Sequence, residues 1–346
     1  MIDRVLIIGS KRTGSLETAY ARALGRLGKQ IDHFDVDQHC TSLMRTRVIN
    51  RFTQKLQSEI VGRNLFGFLR EENKQYEAII VFKGMLLTPS WIARCKAISV
   101  PAIWINVNPD DPFNTMSRGS TNENVSSSIG YYEIYATWGK GLIPSIQQQG
   151  CSSAFFLPFA HDADNHFPFA TEKHNNGDYV TFVGAWDRER EAILSELADF
   201  PIKIYGYGWD RVNARSPLRN KVQAHNIYGA ELREMISSAK AAINILRPQN
   251  LGSHNMRTFE IPAMRGLMLT TYSEEQDGFF PDGRASLMFS DSNELRQKLK
   301  RVLDGEYDVA QMKETAFRLS RDHSYDNRAR TLCDKIALYQ QSKTAQ

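Results

Sequence analysis

Four cysteines in 346 residues are too few and too scattered to cross-link this chain or hold a metal. Cys40, Cys95, Cys151 and Cys333 form no CxxC pair and have no ligand-like spacing to histidine. This pattern excludes a disulfide framework and a structural zinc site, and it indicates reduced thiols in a cytosolic protein.

Long apolar runs are lacking too. The N-terminal run Val5–Ile8 is too short for a signal peptide, and no other segment approaches the roughly 20 apolar residues of a membrane-spanning helix. We therefore expect a cytoplasmic protein.

The chain has little excess of charge of one sign. Its formal net charge of +4 argues against a dedicated nucleic-acid binder but permits attraction to an anionic substrate or lipid surface. The eight histidines form no ligand pair, and the GxSxG elbow of serine hydrolases is missing from the sequence. Only His161 and His254 adjoin elements that we expect to end at a binding site.

What the chain does contain is an alternation of apolar strands and helical segments that runs twice. Arg4–Gly9 and Glu77–Gly84 are typical of parallel strands buried on both faces. The alternation stops at residues 161–178, which have no period and predict a linker, and it restarts at Tyr179–Gly184. The pattern predicts an α/β protein of two Rossmann-like domains that face a central cleft.

Ligands of such sheets bind beyond the carboxyl ends of the strands. The residues expected at those ends are Gly9, Lys83, Asn108–Asp111, Gly184, Gly206 and Arg247.

The segment Asn255–Gly266, NMRTFEIPAMRG, predicts the mouth of a helix. Pro262 has no amide hydrogen and is tolerated in a first turn, which places the helix start near Thr258 or Phe259. Free amides at such a start attract phosphate.

Arg257 would add positive charge for the same anion, and Glu260 can accept hydrogen bonds from sugar hydroxyls. The combination fits a sugar nucleotide. The alternative is that Glu260 only complements the helix dipole, and for this motif alone it is the commoner explanation.

A second candidate anion site lies in FVGAWDRERE, Phe182–Glu191. Arg188 and Arg190 fall in a predicted first helical turn, where positive charge opposes the helix dipole. A bound diphosphate would offset that cost through charge-assisted hydrogen bonds.

NVNPDDPFN, Asn106–Asn114, places Asp110 and Asp111 after an apolar strand. They can orient an acceptor hydroxyl or act as a general base. They can equally form a turn, because Asp and Asn before Pro often reverse a chain. Both interpretations stay open.

Other motifs are weaker. GSKRTGS, Gly9–Ser15, lacks the Lys-Ser/Thr of a phosphate loop and does not form G-x-G-x-x-G, so only a glycine turn remains. DVD (Asp35–Asp37) and DAD (Asp162–Asp164) match the acidic signature of metal-dependent sugar transferases, but their positions argue against metal binding.

The basic segment 43–70 also carries apolar residues at helical spacing. Such a helix can lie on an anionic membrane surface. More often it packs on its own sheet and exposes its charged face.

In their order and spacing these segments resemble the CgeB-like (spore maturation protein) glycosyltransferases, which have the GT-B fold. The similarity extends through nearly the whole chain. The segments that carry it are FKG (Phe82–Gly84), DDPF (Asp110–Phe113), LPFAHD (Leu157–Asp162), FVGAWDRERE, IYGYGW (Ile204–Trp209), IYGAEL from Ile227, NMRTFEIPAMRG followed by LMLTTY, and Ser292–Glu306.

The resemblance implies an acceptor domain at 1–165, a donor domain at 166–325, and a last helix, 326–346, that crosses back to the first domain. The donor would be a nucleoside-diphosphate sugar, with a UDP-sugar favoured. The acceptor would be a surface polysaccharide, a lipid-linked glycan, a protein or a small molecule. The implied transfer proceeds with retention and needs no metal and no cofactor.

Site residues also follow from the resemblance. Glu260 would bind ribose or sugar hydroxyls, and Arg190, Arg257 and the helix-start amides would hold the diphosphate. The full set of candidates comprises the catalytic residues Glu260, Asp110 and Asp111 and the substrate-binding residues Gly9, Lys83, His161, Gly184, Arg188, Arg190, Tyr205, Gly206, Arg247, Asn255, Arg257, Thr258 and Phe259.

One departure from the family pattern is visible. Related retaining transferases often have a second Glu eight positions before Glu260, where this chain has Gly252, and Asn255 is a candidate substitute. Gly252 favours an alternative, a non-catalytic protein that binds nucleotide sugars or serves as a scaffold. A metal-dependent transferase of the single-sheet type would rest on DVD alone, and a nicotinamide dehydrogenase on a broken fingerprint.

Overall fold

The computed structural model describes residues 2–40, 51–71, 75–114, 121–169, 177–223 and 225–344. The chain forms two compact units, unit 1 (Met1–Pro158 with Tyr325–Gln346) and unit 2 (Phe159–Ser324). Each is an α/β unit built on a parallel sheet, as the alternation predicts.

The sequence predicts that the second domain covers residues 166–325. In the structure, unit 2 covers residues 159–324, so it begins seven residues earlier and ends one residue earlier. Hydrogen bonds explain the earlier start of unit 2. The backbone amide of Phe159 donates to His254 Nε2 at 3.1 Å, and the amide of His161 donates to the His323 carbonyl at 3.0 Å. The first residues of the predicted linker are therefore held by unit 2.

The strands are β1 (Arg4–Gly9), β2 (Gln30–Asp35), β3 (Ala78–Phe82), β4 (Ile103–Asn108), β5 (Ile134–Thr137), β6 (Ser153–Phe156), β7 (Gly177–Val183), β8 (Ile202–Tyr205), β9 (Ala239–Asn244), β10 (Met268–Thr271) and β11 (Ser286–Phe289). The α-helices are α1 (Leu16–Arg26), α2 (Arg51–Glu71), α3 (Pro89–Ile98), α4 (Glu123–Ser127), α5 (Ile143–Gln148), α6 (Arg188–Ser195), α7 (Gly229–Ser238), α8 (Arg257–Ala263), α9 (Glu274–Phe279), α10 (Ser292–Leu303), α11 (Val309–Ser320) and α12 (Tyr325–Thr344).

Unit 1 has a six-stranded parallel sheet in the order β2-β1-β3-β4-β5-β6. Every residue of β3 and β4 is buried, because helices must cover both faces of a sheet with such continuous apolar strands. The strand order reverses direction between β1 and β3, so the carboxyl ends of these two strands border a crevice. Helix α12 belongs to this unit and packs on α1, where Arg26 pairs with Asp326 at 2.6 Å.

Unit 2 has a five-stranded parallel sheet in the order β11-β10-β9-β7-β8. Phe182 and Trp209 pack edge to face in its core, together with Leu299 from α10. Here the order reverses between β7 and β9, and their carboxyl ends are the expected ligand edge.

Helix α2 packs on unit 1 through Val61, Leu65 and Leu69, which are buried, while Arg63 and Arg70 are exposed. This arrangement is that of a packed helix with a solvated charged face. Residues 43–50 of the basic segment lie outside the described residues. Within the part of the chain that the structure describes, every helix is too short or too polar to serve as a transmembrane segment.

Helix α8 corrects one inference from the sequence. It begins at Arg257, so Pro262 is its sixth residue and lies beyond the first turn. The missing amide hydrogen removes one hydrogen bond, to the Thr258 carbonyl. The helix tolerates this loss because it ends at the next residue, Ala263.

Candidate active site

Three arginines meet two carboxylates at the carboxyl ends of β7 and β9 in unit 2. Asp187 caps α6 and lies 3.2 Å from Arg247 Nε and 3.7 Å from Arg190 Nε. The second carboxylate, Glu260, pairs with Arg257. Among these five side chains the positive charges exceed the negative ones by one, which suits an anionic ligand.

Arg190 is held firmly in this cluster by backbone carbonyls. Its Nη1 donates to the Ala185 carbonyl at 3.0 Å, and its Nη2 donates to the Ile245 carbonyl at 2.8 Å. Burial and, next, the charge of Arg247 lower the pKa of the Arg190 guanidinium to about 10. The guanidinium remains protonated at neutral pH, so it is a fixed positive charge. Its hydrogen bonds join the segments that follow β7 and β9, which explains why an arginine is present in the first turn of α6.

Arg257 joins the start of α8 to the end of β7. Its Nε donates to the Val183 carbonyl at 3.1 Å, and its Nη1 donates to Glu260 Oε2. Glu260 is only 5% exposed. Burial by itself would raise the pKa of the Glu260 carboxyl, but Arg257 and His166 outweigh it and hold this pKa below its usual range. Glu260 is therefore a buried, ionised hydrogen-bond acceptor.

A buried polar network supports the loop before α8. Asn255 Nδ2 donates to Asn244 Oδ1 at 2.8 Å, the Thr258 amide donates to Asn255 Oδ1 at 3.1 Å, and Thr258 Oγ1 donates to Gln276 Oε1 at 2.8 Å. The side-chain amide of Asn255 is engaged in this network, which argues against it as a substitute for the glutamate missing at Gly252.

The same hydrogen bonds bear on the predicted anion site at the helix start. The amide of Thr258 donates to Asn255, and the amides of Phe259 and Glu260 donate to the Met256 carbonyl. These amides already have acceptors, so the positive charge of this corner comes from side chains. The Phe259 ring is fully buried beside Phe279 and Phe280, which argues against a direct contact with a ligand.

Of two further predicted site residues, Tyr205 is buried and Arg188 is exposed. Tyr205 is 5% exposed and packs in the core of unit 2, where burial raises its pKa. Arg188 is exposed at the first position of α6.

Glycines bring the ends of β7 and β8 into close approach. A Cβ on Gly206 would lie 2.0 Å from the Gly184 carbonyl oxygen, and the φ of Gly206 is +135°. The Gly184 amide donates to the Tyr205 carbonyl at 3.0 Å, and the Gly184 carbonyl accepts from Trp209 Nε1 at 2.8 Å. Only glycine fits at position 206, and a cavity of about 450 Å³ opens beside it, lined in part by Tyr207.

The sequence interpretation missed His166, which lies in the predicted linker. Its Nε2 is 3.8 Å from Glu260 Oε1. Asp162, also in that segment, builds the turn that carries it, since its carbonyl accepts from the His166 amide at 2.7 Å. No periodicity marks such a turn, so only the pairing of Asp162 with His166 at i, i+4 could have indicated it. His254, by contrast, is fully buried, with Nδ1 2.8 Å from Glu275 Oε2.

His161 lies behind this pair and gives a pH prediction. Burial and, next, the charge of His166 lower the pKa of His161 from 6.5 to about 4, although Glu260 and Asp162 oppose the shift. Between these pH values the unfolded chain binds a proton that the folded chain does not. The free energy of unfolding is therefore highest above pH 6.5. It falls by roughly 3 kcal/mol as the pH is lowered to about 4.

Urea unfolding of the wild type and of His161→Gln at pH 7 and pH 4 checks this. The difference in unfolding free energy between the two proteins should shrink on acidification. A difference that stays constant would contradict the assignment.

Unit 1 has its own polar edge at the ends of β3 and β4. Lys83 Nζ lies 2.6 Å from Asp110 Oδ2, and Lys83 has a φ of +59°, a costly conformation for a non-glycine residue. Asp111 Oδ1 accepts a hydrogen bond from the Phe113 amide at 2.9 Å. This contact favours the interpretation of Asp111 as a residue that forms a turn.

Gly9, at the end of β1, faces an internal carboxylate. A Cβ there would lie 2.5 Å from Glu17 Cγ, and Glu17 Oε1 accepts the Ser10 amide at 3.1 Å. The glycine turn is thereby explained by packing. A ligand contact of Gly9 stays a prediction.

Comparison with known proteins begins from sequence. Residues 188–334 match the family model described as Glycosyl transferase-like. No curated protein matches the chain.

Solved structures extend the similarity to both units. Sucrose-phosphate synthase from Thermosynechococcus elongatus superposes with a TM-score of 0.71 at 11% identity, covering 99% of this chain and 100% of that one. HepE from Anabaena in complex with UDP-glucose gives 0.65 at 10% identity, covering 96% and 99%. This chain has the GT-B fold. The prediction of that fold is confirmed.

TarM from S. aureus, in a complex with UDP, is also similar, with a TM-score of 0.58 at 12% identity. The match covers 80% of this chain, which spans only 59% of the TarM chain. The GT-B fold and the matched family model together support a glycosyltransferase.

Proposed function

We propose that this protein transfers a sugar from a nucleoside-diphosphate sugar, with a UDP-sugar favoured, to a hydroxyl acceptor, and that the donor binds at the carboxyl ends of β7 and β9. One observation carries the proposal. Arg190, Arg247 and Arg257 converge on an edge where Asp187 and Glu260 pair with them, and Glu260 is a buried hydrogen-bond acceptor. A diphosphate next to sugar hydroxyls has the complementary chemistry.

In this proposal the chain's own cations perform the catalysis. Arg257 and Arg247 bind the diphosphate directly, and Arg190 adds a fixed charge behind them. Because charge accumulates on the diphosphate as it leaves, preorganised guanidinium groups stabilise the transition state more than the ground state. That positive charge can do the work of a metal, so we propose metal-independent transfer. Retention of configuration is proposed from the family resemblance. The cavity beside Gly206 offers room for the base.

The wider parts of the proposal follow the family resemblance. We propose a CgeB-like transferase with a carbohydrate, lipid-linked glycan or protein as acceptor. HepE and TarM structures contain UDP or a UDP-sugar, and the TarM complex also contains α-GlcNAc-glycerol, which favours this donor and acceptor class.

Arg257→Ala should mainly weaken donor binding. A charge-assisted hydrogen bond contributes about 1.5–3 kcal/mol, so affinity for a nucleoside diphosphate should fall by roughly 10- to 100-fold. Thermal-shift titration with UDP, GDP and ADP measures this and identifies the base. Arg301→Ala is the matched control, because Arg301 forms an exposed pair with Glu306 at 2.8 Å in the same unit. Equal affinities of the two variants would contradict the site.

A second candidate function is a non-catalytic protein that binds nucleotide sugars. Gly252, where related retaining transferases have glutamate, is an exposed left-handed glycine with φ of +81°. Assays of donor hydrolysis with a panel of nucleotide sugars separate the two. Binding without turnover of any donor would select the non-catalytic protein.

A further inference from the structure

We propose that His166 is a donor-binding residue, and that its Nε2–H and the carboxylate of Glu260 together hold one hydroxyl group of the donor. The inference rests on the proposed function, because the hydroxyl belongs to the nucleotide sugar. It adds a residue from the segment predicted as a linker to the donor site.

Hydrogen bonds of the turn fix the orientation of the His166 ring. The Asp162 amide donates to His166 Nδ1 at 3.2 Å. The turn itself is rigid, because Asp162 Oδ1 accepts the Asp164 amide at 3.1 Å and Asp162 Oδ2 accepts from Asn165 Nδ2 at 2.6 Å. Since Nδ1 is an acceptor, the neutral ring carries its proton on Nε2. That nitrogen is the ring atom that lies 3.8 Å from Glu260 Oε1.

The distance between the two side chains places a shared oxygen atom beside the line that joins them, not on it. Nε2 of His166 and Oε1 of Glu260 are 3.8 Å apart, which exceeds the roughly 2.7–3.2 Å of a direct hydrogen bond. A hydroxyl oxygen placed beside this axis can accept from Nε2–H and donate its own proton to Oε1. Water can fill the same place before the donor binds.

The state of Glu260 strengthens the inference. Its Oε2 is occupied by Arg257, whereas Oε1 accepts no hydrogen bond from any residue that the structure describes. The side chains of Glu260 and His166 are 6% and 15% exposed, so neither is fully solvated. A mostly buried donor and acceptor that are too far apart to bond to each other each need another hydrogen-bond partner, and one hydroxyl group can serve both.

The location of Glu260 indicates that this hydroxyl belongs to the donor. Arg257 bonds to both Glu260 and the Val183 carbonyl at the end of β7, which is the edge with the guanidinium cluster. A hydroxyl between His166 and Glu260 is therefore close to the proposed diphosphate. Ribose and the transferred sugar both carry hydroxyls next to that group, and the two sources share the chemistry.

Two variants separate binding from support of the turn. In His166→Asn the side-chain oxygen can take the place of Nδ1 and keep the Asp162 hydrogen bond, while nothing reaches the place of Nε2. In His166→Gln the amide nitrogen can take the place of Nε2, while the acceptor for Asp162 is lost. We expect His166→Asn to lower donor affinity by roughly 10-fold and His166→Gln to retain most of it. A structural role alone predicts the reverse order.

The probes identify the hydroxyl. Affinities are measured by calorimetry for UDP, 2′-deoxy-UDP, 3′-deoxy-UDP and UDP-glucose, or for the corresponding series of the base that the wild type prefers. For a ribose hydroxyl, His166→Asn weakens UDP binding but leaves one deoxy analogue bound as by the wild type. For a sugar hydroxyl, UDP affinity is unchanged and UDP-glucose affinity falls.

Other results would overturn the inference. Wild-type affinity of His166→Asn for all four probes, or an equal loss for all four, removes His166 from the donor site and leaves the proposed function standing. A wild-type protein that binds no nucleoside diphosphate and no nucleotide sugar removes both. Thermal melting of each variant shows whether the fold is retained.

Discussion

Glu260→Gln should lower kcat/KM for sugar transfer by at least about 100-fold, the size expected when a preorganised electrostatic group is lost from an active site. Glutamine keeps the shape of the side chain but removes its negative charge. The carboxylate that accepts hydroxyl protons is then gone, and Arg257 loses its charged partner. Because the net charge of the cluster becomes more positive, attraction for the diphosphate itself should not weaken, so a loss of affinity for a free nucleoside diphosphate would indicate that Glu260 holds a ribose hydroxyl.

This combination of results is specific to the proposed site. Glu306→Gln is the matched control, since Glu306 pairs with Arg301 at 2.8 Å but has a half-exposed side chain. It should transfer sugar at the wild-type rate. Glu260→Ala tests the same point without a polar group. Wild-type turnover by either Glu260 variant would remove this residue from the mechanism.

The sequence supports the fold best where strands are fully buried. Continuous apolar runs such as those of β1 and β3 cannot be stable outside a covered parallel sheet, and their bounds follow from the next glycine or polar residue. The start of α8 was harder to infer. A proline rule for the first turn misplaces a helix that is only seven residues long.

The candidate site could be predicted only in part. Arg190, Arg257 and Glu260 fall in segments with recognisable turns and helix starts, so a sequence pattern marks them. His166 and Asp187 gain their importance from contacts that join distant segments, and no local period reports these. Phe259 shows the opposite case, since its neighbours in sequence lie at the proposed site while its own ring is buried in the core.

Gly206→Ala should destabilise unit 2 by roughly 3 kcal/mol or more, as expected when an added methyl group meets rigid backbone. The new Cβ would lie 2.0 Å from the Gly184 carbonyl oxygen and 2.6 Å from its carbon. Neither atom can move freely, because Gly184 bonds to the Tyr205 carbonyl and to Trp209. The ends of β7 and β8 must separate, so binding of nucleoside diphosphates should be lost as well.

Gly252→Ala separates this clash from backbone strain. Gly252 also has a positive φ, +81°, but among the described residues, its two chain neighbours aside, no atom lies within 4 Å of its hypothetical Cβ. Alanine should therefore cost only about 1 kcal/mol, the price of a left-handed conformation. Thermal or urea unfolding of the two variants gives the comparison. If Gly206→Ala were as stable as Gly252→Ala, the contact between β7 and β8 would not be what requires glycine at position 206. The close approach of the two strand ends at the proposed donor site would then lose its main support.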